Sequence, residues 1–216
     1  MINPASTLIC FAVREEAGKT VLNTGAEVLI TGMGRKNAEE SIQRRLAANL
    51  PALVLTCGFA GGLNPNLPGR TVVFSADEQT GLTPALSALG AVPVRFHCAG
   101  RVAITAAEKQ QLWQTTSADV VEMESEVIRE VCRRHHIPSA TIRVISDAAQ
   151  EDLPLDFNAL MNSHMQINFA KLAWQLAKSP AKIPRLLELQ KRTAQARGNL
   201  GDVLVKLLSL QTGGGG

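Results

Sequence analysis

"VVEMESEVIREVC", residues 120–132, changes its apolar period halfway along. Val120 and Val121 open a β-branched run in which Glu122, Glu124 and Glu126 fall at every second position, the spacing of one strand face. Val127, Ile128 and Val131 follow a helical stripe instead. The stretch therefore predicts a strand that gives way to a helix near Glu124, a junction typical of α/β proteins. Glu124 falls at the strand's carboxyl end, where a carboxylate can accept two hydrogen bonds from vicinal hydroxyls. Glu126 falls in the first helical turn, where an acid favours the dipole.

The same rhythm extends outward. "LICFAV" (8–13), "EVLIT" (27–31), "ALVLTC" (52–57), "RTVVFS" (70–75), "AVPVRF" (91–96) and "SATIRVIS" (139–146) read as strands, with helices from about Asn37, Ala106 and Ser125. The expected fold is α/β, three layers (α/β/α) around a central mixed, largely parallel sheet, with ligands beyond the carboxyl ends of strands. After Asp147 the strands stop, and helices broken near Ser179-Pro180, at Pro184 and at Gly198 follow. The expectation is one domain over residues 1–212, with a basic helical part from about residue 156 and a flexible glycine tail at 213–216.

Charge and cysteine usage narrow the class. The net charge is +3, but from Gln166 onward eight basic residues (Lys171, Lys178, Lys182, Arg185, Lys191, Arg192, Arg197, Lys206) face two acids, Glu188 and Asp202. The basic character belongs to the tail, which with Trp174 and its leucines suits either packing on the domain or an anionic membrane surface. Nucleic-acid binding is not expected, because no basic, aromatic-interleaved surface is evident elsewhere. Cys10, Cys57, Cys98 and Cys132 lie far apart without CxxC or ligand-spaced histidines, so neither a metal site nor a disulfide framework is expected. "MINPASTLICFAV" lacks the basic start of a signal peptide and is too short to span a bilayer. A cytoplasmic protein without a cofactor is the expectation.

Three further stretches carry chemistry. "ITGMGRKNAEES" (30–41) gives a strand, two glycines and a helix, but Asn37 replaces the third glycine of a dinucleotide fingerprint and no ribose-binding acid ends the next strand. Gly32 and Gly34 imply a tight turn, and a structural turn and a ligand contact both remain open. "CGFAGGLNPNLPGR" (57–70) has more glycines than an ordinary link needs, so a ligand or another strand can approach its backbone closely. "SATIRVISDAAQ" (139–150) ends an apolar strand on Ser146-Asp147, and an acid in an apolar surround is suited to proton donation near neutrality. Taken alone, Asp147 reads as a cap or loop acid; with Glu124 at another strand end, and Glu15 and Glu16 after the first strand, a pattern emerges. His135-His136, at a helix end before Pro138, has no catalytic role in this reading.

"AVREEA", "TGMGRKNA", "CGFAGGLNPNLPGRTVV", "VVEMES" and "IRVISDAA", in order from residue 12 to 149, together resemble the nucleoside phosphorylase and nucleosidase superfamily, especially the methylthioadenosine/S-adenosylhomocysteine nucleosidases. "RVAITAAEKQQL" (101–112) and "LAKSPAKIPRLLELQKRTAQA" (176–196) look more like the hopanoid-associated phosphorylase-like branch, thought to remove adenine from adenosylhopane. The resemblance implies cleavage of a ribosyl N-glycosidic bond. By it, Asp147 protonates or hydrogen-bonds purine N7, and Glu16 positions and deprotonates the attacking water. Glu124 holds the ribose hydroxyls, Met123 packs on the sugar and Glu122 lies near the base. Gly58, Phe59, Ala60 and Ser146 complete the expected substrate contacts.

Phosphorolytic relatives carry a Gly-Asp-Pro and arginine loop early in the chain and a strand arginine followed by a serine before the glycine-rich turn. Here those places read "VREEA" and "LVLTCG", with Phe59 where the serine would be. A dianion without a matching arginine is poorly held, so water is the favoured nucleophile, with Arg14, Arg35 and Arg101 as the remaining candidates for a phosphate. The aromatic residue that stacks on the base in the nucleosidases has no obvious counterpart; Phe11 and Phe59 are the substitutes. The expectation is a nucleosidase acting on a 5′-substituted adenosine as a homodimer, with peripheral contact to the inner membrane face through the tail. The alternatives are a phosphate-dependent purine nucleoside phosphorylase and a non-catalytic nucleoside-binding or membrane-surface protein.

Overall fold

The computed structural model describes residues 2–210, so the glycine tail expected at 213–216 lies outside the described residues. In chain order the main elements are β1 (Thr7–Phe11), α1 (Arg14–Leu22), β2 (Glu27–Ile30), α2 (Arg35–Leu46), β3 (Leu53–Gly62), β4 (Val72–Ala76), α3 (Thr83–Ala88), β5 (Val92–Pro93) and β6 (Phe96–Cys98). There follow α4 (Ala106–Thr116), β7 (Val120–Glu122), α5 (Ser125–Arg134), β8 (Ser139–Asp147), α6 (Phe157–Leu160), α7 (Phe169–Lys178) and α8 (Ile183–Ser209).

The strands form one mixed sheet in the order β2-β1-β3-β8-β4-β5, with β7 pairing β3 and β6. Most pairs are parallel; β3 with β7 and β4 with β8 are antiparallel. Alternate residues of the central strands feed opposite layers, as a two-residue period requires. Leu8, Cys10 and Val54 pack against α2 and α5 through Ile42, Ile128 and Val131. Ile9, Phe11, Leu55 and Cys57 pack against α1 and α8 through Val21, Leu200 and Leu204. The three-layer α/β/α arrangement is the one the sequence predicts.

Four local expectations need correction. β3 does not stop at Cys57 but continues through Gly62, and β7 pairs with its end, the close approach of another strand that the glycines allow. "AVPVRF" is not one strand: Pro93 has no N–H for a ladder, and the chain leaves β4 there to pair with β7 as β6. α1 has no counterpart in the sequence reading; its apolar content is sparse, and it bends at Gly18, whose φ is 63°. α8 runs through Gly198 without a break, because Ala196, Leu200, Leu204 and Leu207 form a buried stripe that outweighs the glycine's cost.

Candidate active site

The carboxyl ends of β1, β3 and β8 open with β7 into one cavity of about 470 Å³. Of the sequence-predicted residues, Glu16, Phe59, Ala60, Glu122, Met123, Glu124, Ser146 and Asp147 line it, whereas Gly58 lies behind the wall. Phe11 is buried in the core and does not reach the cavity, which leaves Phe59 as the aromatic side chain on the β3 wall.

Glu16 enters the site because α1 starts immediately after β1. Its Oε2 accepts from the Ala12 and Val13 amides at 3.1 and 3.4 Å, and its Oε1 from the Phe59 amide at 3.1 Å. Burial pushes its pKa up to about 7, against the opposing pull of the Arg143 guanidinium. Glu15, one residue earlier, points to solvent.

Sequence reasoning missed Arg143. It is the largest fully buried side chain, midway along β8, and its Nη2 donates to Glu122 Oε2 at 2.8 Å, Thr56 Oγ1 at 3.3 Å and Glu124 Oε2 at 3.4 Å. Gly58, with φ 142°, lets this guanidinium and Glu16 come so close: a Cβ there would stand 2.7 Å from Arg143 Nη1 and 2.8 Å from both Glu16 oxygens. The arginines suggested by the sequence do other work. Arg35 pairs with exposed Glu126, Arg101 pairs with Glu108 at the cavity's edge, and Arg14 is exposed. The available signal was a lone arginine inside "TIRVIS", since a charge in a fully apolar strand is buried only when paired.

The three glutamates of the opening stretch separate. Glu122 accepts from the Glu124 and Ser125 amides at 2.9 and 2.7 Å, from Ser125 Oγ at 2.7 Å and from Arg143. Its carboxylate is thus bonded into the strand-to-helix junction while the residue still lines the cavity. Glu124 keeps a place on the cavity wall: its Oε1 accepts from the Gly34 amide at 2.8 Å, so the turn at Gly32 and Gly34 positions a site residue. Burial raises the Glu124 pKa, with Arg143 opposing and Glu122 adding to the rise. Glu126 lies in the first turn of α5, as read.

Asp147 ends β8 where the pairing with β3 shifts register between Ala60 and Gly61, an irregularity that re-aims the strand end. Ser146 Oγ donates to its Oδ1 at 2.6 Å. Lys109 Nζ, buried on α4, donates to its Oδ2. The expected apolar surround is therefore replaced by a buried ammonium. Apart from a deep helix position, Lys109 gave no sequence signal.

The phosphorylase superfamily model matches residues 85–178. The chain is similar to the 5′-methylthioadenosine/S-adenosylhomocysteine nucleosidase of Glaesserella parasuis serovar 5, 25% identical over 172 residues, covering 64% of this chain and 75% of the relative. It is also similar to the nucleosidase of the same name from Shewanella sediminis, 25% identical over 195 residues, covering 73% and 83%. Among solved structures, the Campylobacter jejuni 5′-methylthioadenosine/S-adenosylhomocysteine nucleosidase shares the fold with a TM-score of 0.67 at 13% identity, over 93% of this chain and 97% of that one. Futalosine hydrolase of Helicobacter pylori shares it with a TM-score of 0.60 at 17% identity, over 74% and 92%. Over residues 85–178 the chain is thus similar to the phosphorylase superfamily. Among the curated relatives named above, the similarity is to 5′-methylthioadenosine/S-adenosylhomocysteine nucleosidases.

Proposed function

We propose that this chain is a nucleosidase that hydrolyses the N-glycosidic bond of a 5′-substituted adenosine and releases adenine. The observation that carries this reading is the Glu16 carboxylate held by the amides of Ala12, Val13 and Phe59. Those donors would suit a phosphate, and a built-in carboxylate already takes them. Arg143, the buried cation behind them, already faces Glu16, Glu122 and Glu124. A phosphate dianion would meet three carboxylates for one guanidinium, whereas neutral water meets no such repulsion.

In this reading water attacks C1′ and gives a proton to Glu16, whose pKa near 7 suits a base at neutral pH. The C1′–N9 bond breaks with its electron pair on the purine, and N7 takes a proton from Asp147. Glu124 accepts from the ribose hydroxyls, and Met123 packs against the sugar. Phe59, Ala60 and Ser146 shape the wall on which the base lies.

The outer cavity is walled by Val102, Leu153, Phe157, Ile167, Leu186 and Leu189, which favours an apolar 5′ substituent. On α7, which follows the lining residue Ile167 in the chain, Phe169 and Trp174 are 77% and 61% exposed, and Lys178 Nζ sits 3.5 Å from the Trp174 ring centroid. Apolar side chains beside Lys171, Lys178 and Lys182 suit a peripheral site on an anionic, inner-face membrane surface. No helix among the described residues is long and apolar enough to cross a membrane. A homodimer in the cytoplasm completes the reading.

The test is adenine release from methylthioadenosine, adenosylhomocysteine and adenosine, with phosphate absent and then in excess. Release without phosphate is expected, and Asp147→Asn should abolish it while the fold persists. Turnover only with phosphate would instead assign Arg143 to an anion and make the chain a phosphorylase. Full activity of Asp147→Asn would sink the assignment of the acid.

A further inference from the structure

Lys109 is fully buried, and its ammonium donates to Asp147 Oδ2, to the Ala148 carbonyl at 2.9 Å and to the Glu151 carbonyl at 2.8 Å. Three acceptors match the three protons of the group. A buried ion pair rarely stabilises a fold more than an apolar pair of the same volume, so packing alone does not explain a lysine here. The pair also sits at the cavity: Asp147 lines it while Lys109 holds that carboxyl group from behind. Ser146 fixes the other oxygen, so the carboxyl plane is pinned at both ends.

We propose that Lys109 is a positioning residue for base release, an inference that rests on the nucleosidase reading. A purine N7 and a carboxylate both accept hydrogen bonds, so a proton enters between them when the nucleoside binds. As the C1′–N9 bond breaks, the electron pair stays on the purine and that proton passes from Asp147 to N7. The carboxylate that remains is stabilised by the Lys109 ammonium, which keeps its own three protons. Lys109 thus favours the state in which the base has been protonated, and fixes the direction in which Asp147 delivers the proton.

The test compares wild type, Lys109→Met and Lys109→Gln on an adenine nucleoside and on its N7-methylated form, whose base leaves neutral without taking a proton. The glutamine variant keeps a neutral donor to Asp147 should the methionine variant fail to fold. Lys109→Met should lower kcat on the ordinary nucleoside by about 100-fold, the scale of a general-acid contribution, with KM little changed. Turnover of the N7-methylated nucleoside should stay near that of wild type, and ethylammonium should restore part of the loss in Lys109→Ala. Equal losses on both substrates, with no rescue by the amine, would reduce Lys109 to a structural residue. Absence of base release by wild type counts against the nucleosidase reading itself, and is distinct from that outcome.

Discussion

Gly58→Ala tests the architecture of the site at its tightest point. The new Cβ would meet Arg143 Nη1 at 2.7 Å and both Glu16 oxygens at 2.8 Å, on a backbone with φ 142° that side-chain-bearing residues rarely adopt. The backbone conformation costs about 1–3 kcal/mol and the overpacking about as much again, so roughly 4 kcal/mol is expected in total. For a chain of this size each kcal/mol lowers Tm by about 2–4 °C, which predicts a fall of roughly 8–16 °C. Relief of the clash must move Glu16 or Arg143, and a displacement of 1 Å at a reacting centre costs on the order of 100-fold in rate. Scanning calorimetry and adenine-release kinetics below the transition would read the two effects. Gly69→Ala, where a Cβ meets nothing within 4 Å, is the control and should be near neutral. A Gly58→Ala protein with wild-type Tm and wild-type turnover would refute the claim that this glycine exists to let the two charges approach.

The pH dependence of Glu16 follows from its raised pKa of about 7. A folded value above the ordinary carboxylate one means that the folded state binds this proton more tightly, so its contribution favours folding at low pH and is lost as pH rises toward 7. Glu16→Gln should flatten that slope, measured by denaturant titration from pH 5 to 8, and should abolish turnover; an unchanged slope would show that Glu16 is not the titrating group. In wild type, kcat should rise with pH through an acid limb near 7. Replacing Phe169 and Trp174 by glutamate should abolish cosedimentation with anionic liposomes while adenine release from a short soluble nucleoside persists; unchanged sedimentation would exclude this patch as the membrane contact.

The sheet was legible because its strands are short, β-branched and separated by helices of clear period, so local pattern and global fold agree. The places where the reading failed have specific physical causes. Gly58, Gly61 and Gly62 read as lying beyond the strand that ends at Cys57, yet Gly61 and Gly62 belong to β3 and pair with Val121 and Val120, and the missing side chains make room for Asp147 and Val121 at that crossing. Gly198 read as a helix end, yet a stripe of leucines buried against the sheet carries α8 past it. Composition weighs a glycine by its own conformational cost, whereas in both places the neighbours across the fold decide.

The anionic half of the site was legible and the cationic half was not. Glu16, Glu124 and Asp147 stand at strand ends, and the chain order shows a strand end directly. Arg143 stands in the middle of β8, where it reads as an interruption of an apolar pattern, and Lys109 stands in the polar opening of α4, where it reads as one more surface charge. What makes each of them part of the site is a carboxylate brought in by another segment: Glu122 and Glu124 from 21 and 19 residues away for Arg143, and Asp147 from 38 residues away for Lys109. The physical rule that would have found them is one of cost. A lysine or arginine that the pattern places inside the core must have a partner, and in this chain the acids at strand ends are the carboxylates close enough to serve. Glu124 and Asp147 are each bonded from behind by a buried cation, whereas Glu16 is oriented by three amides and feels Arg143 only through its charge, and all three keep a face on the cavity.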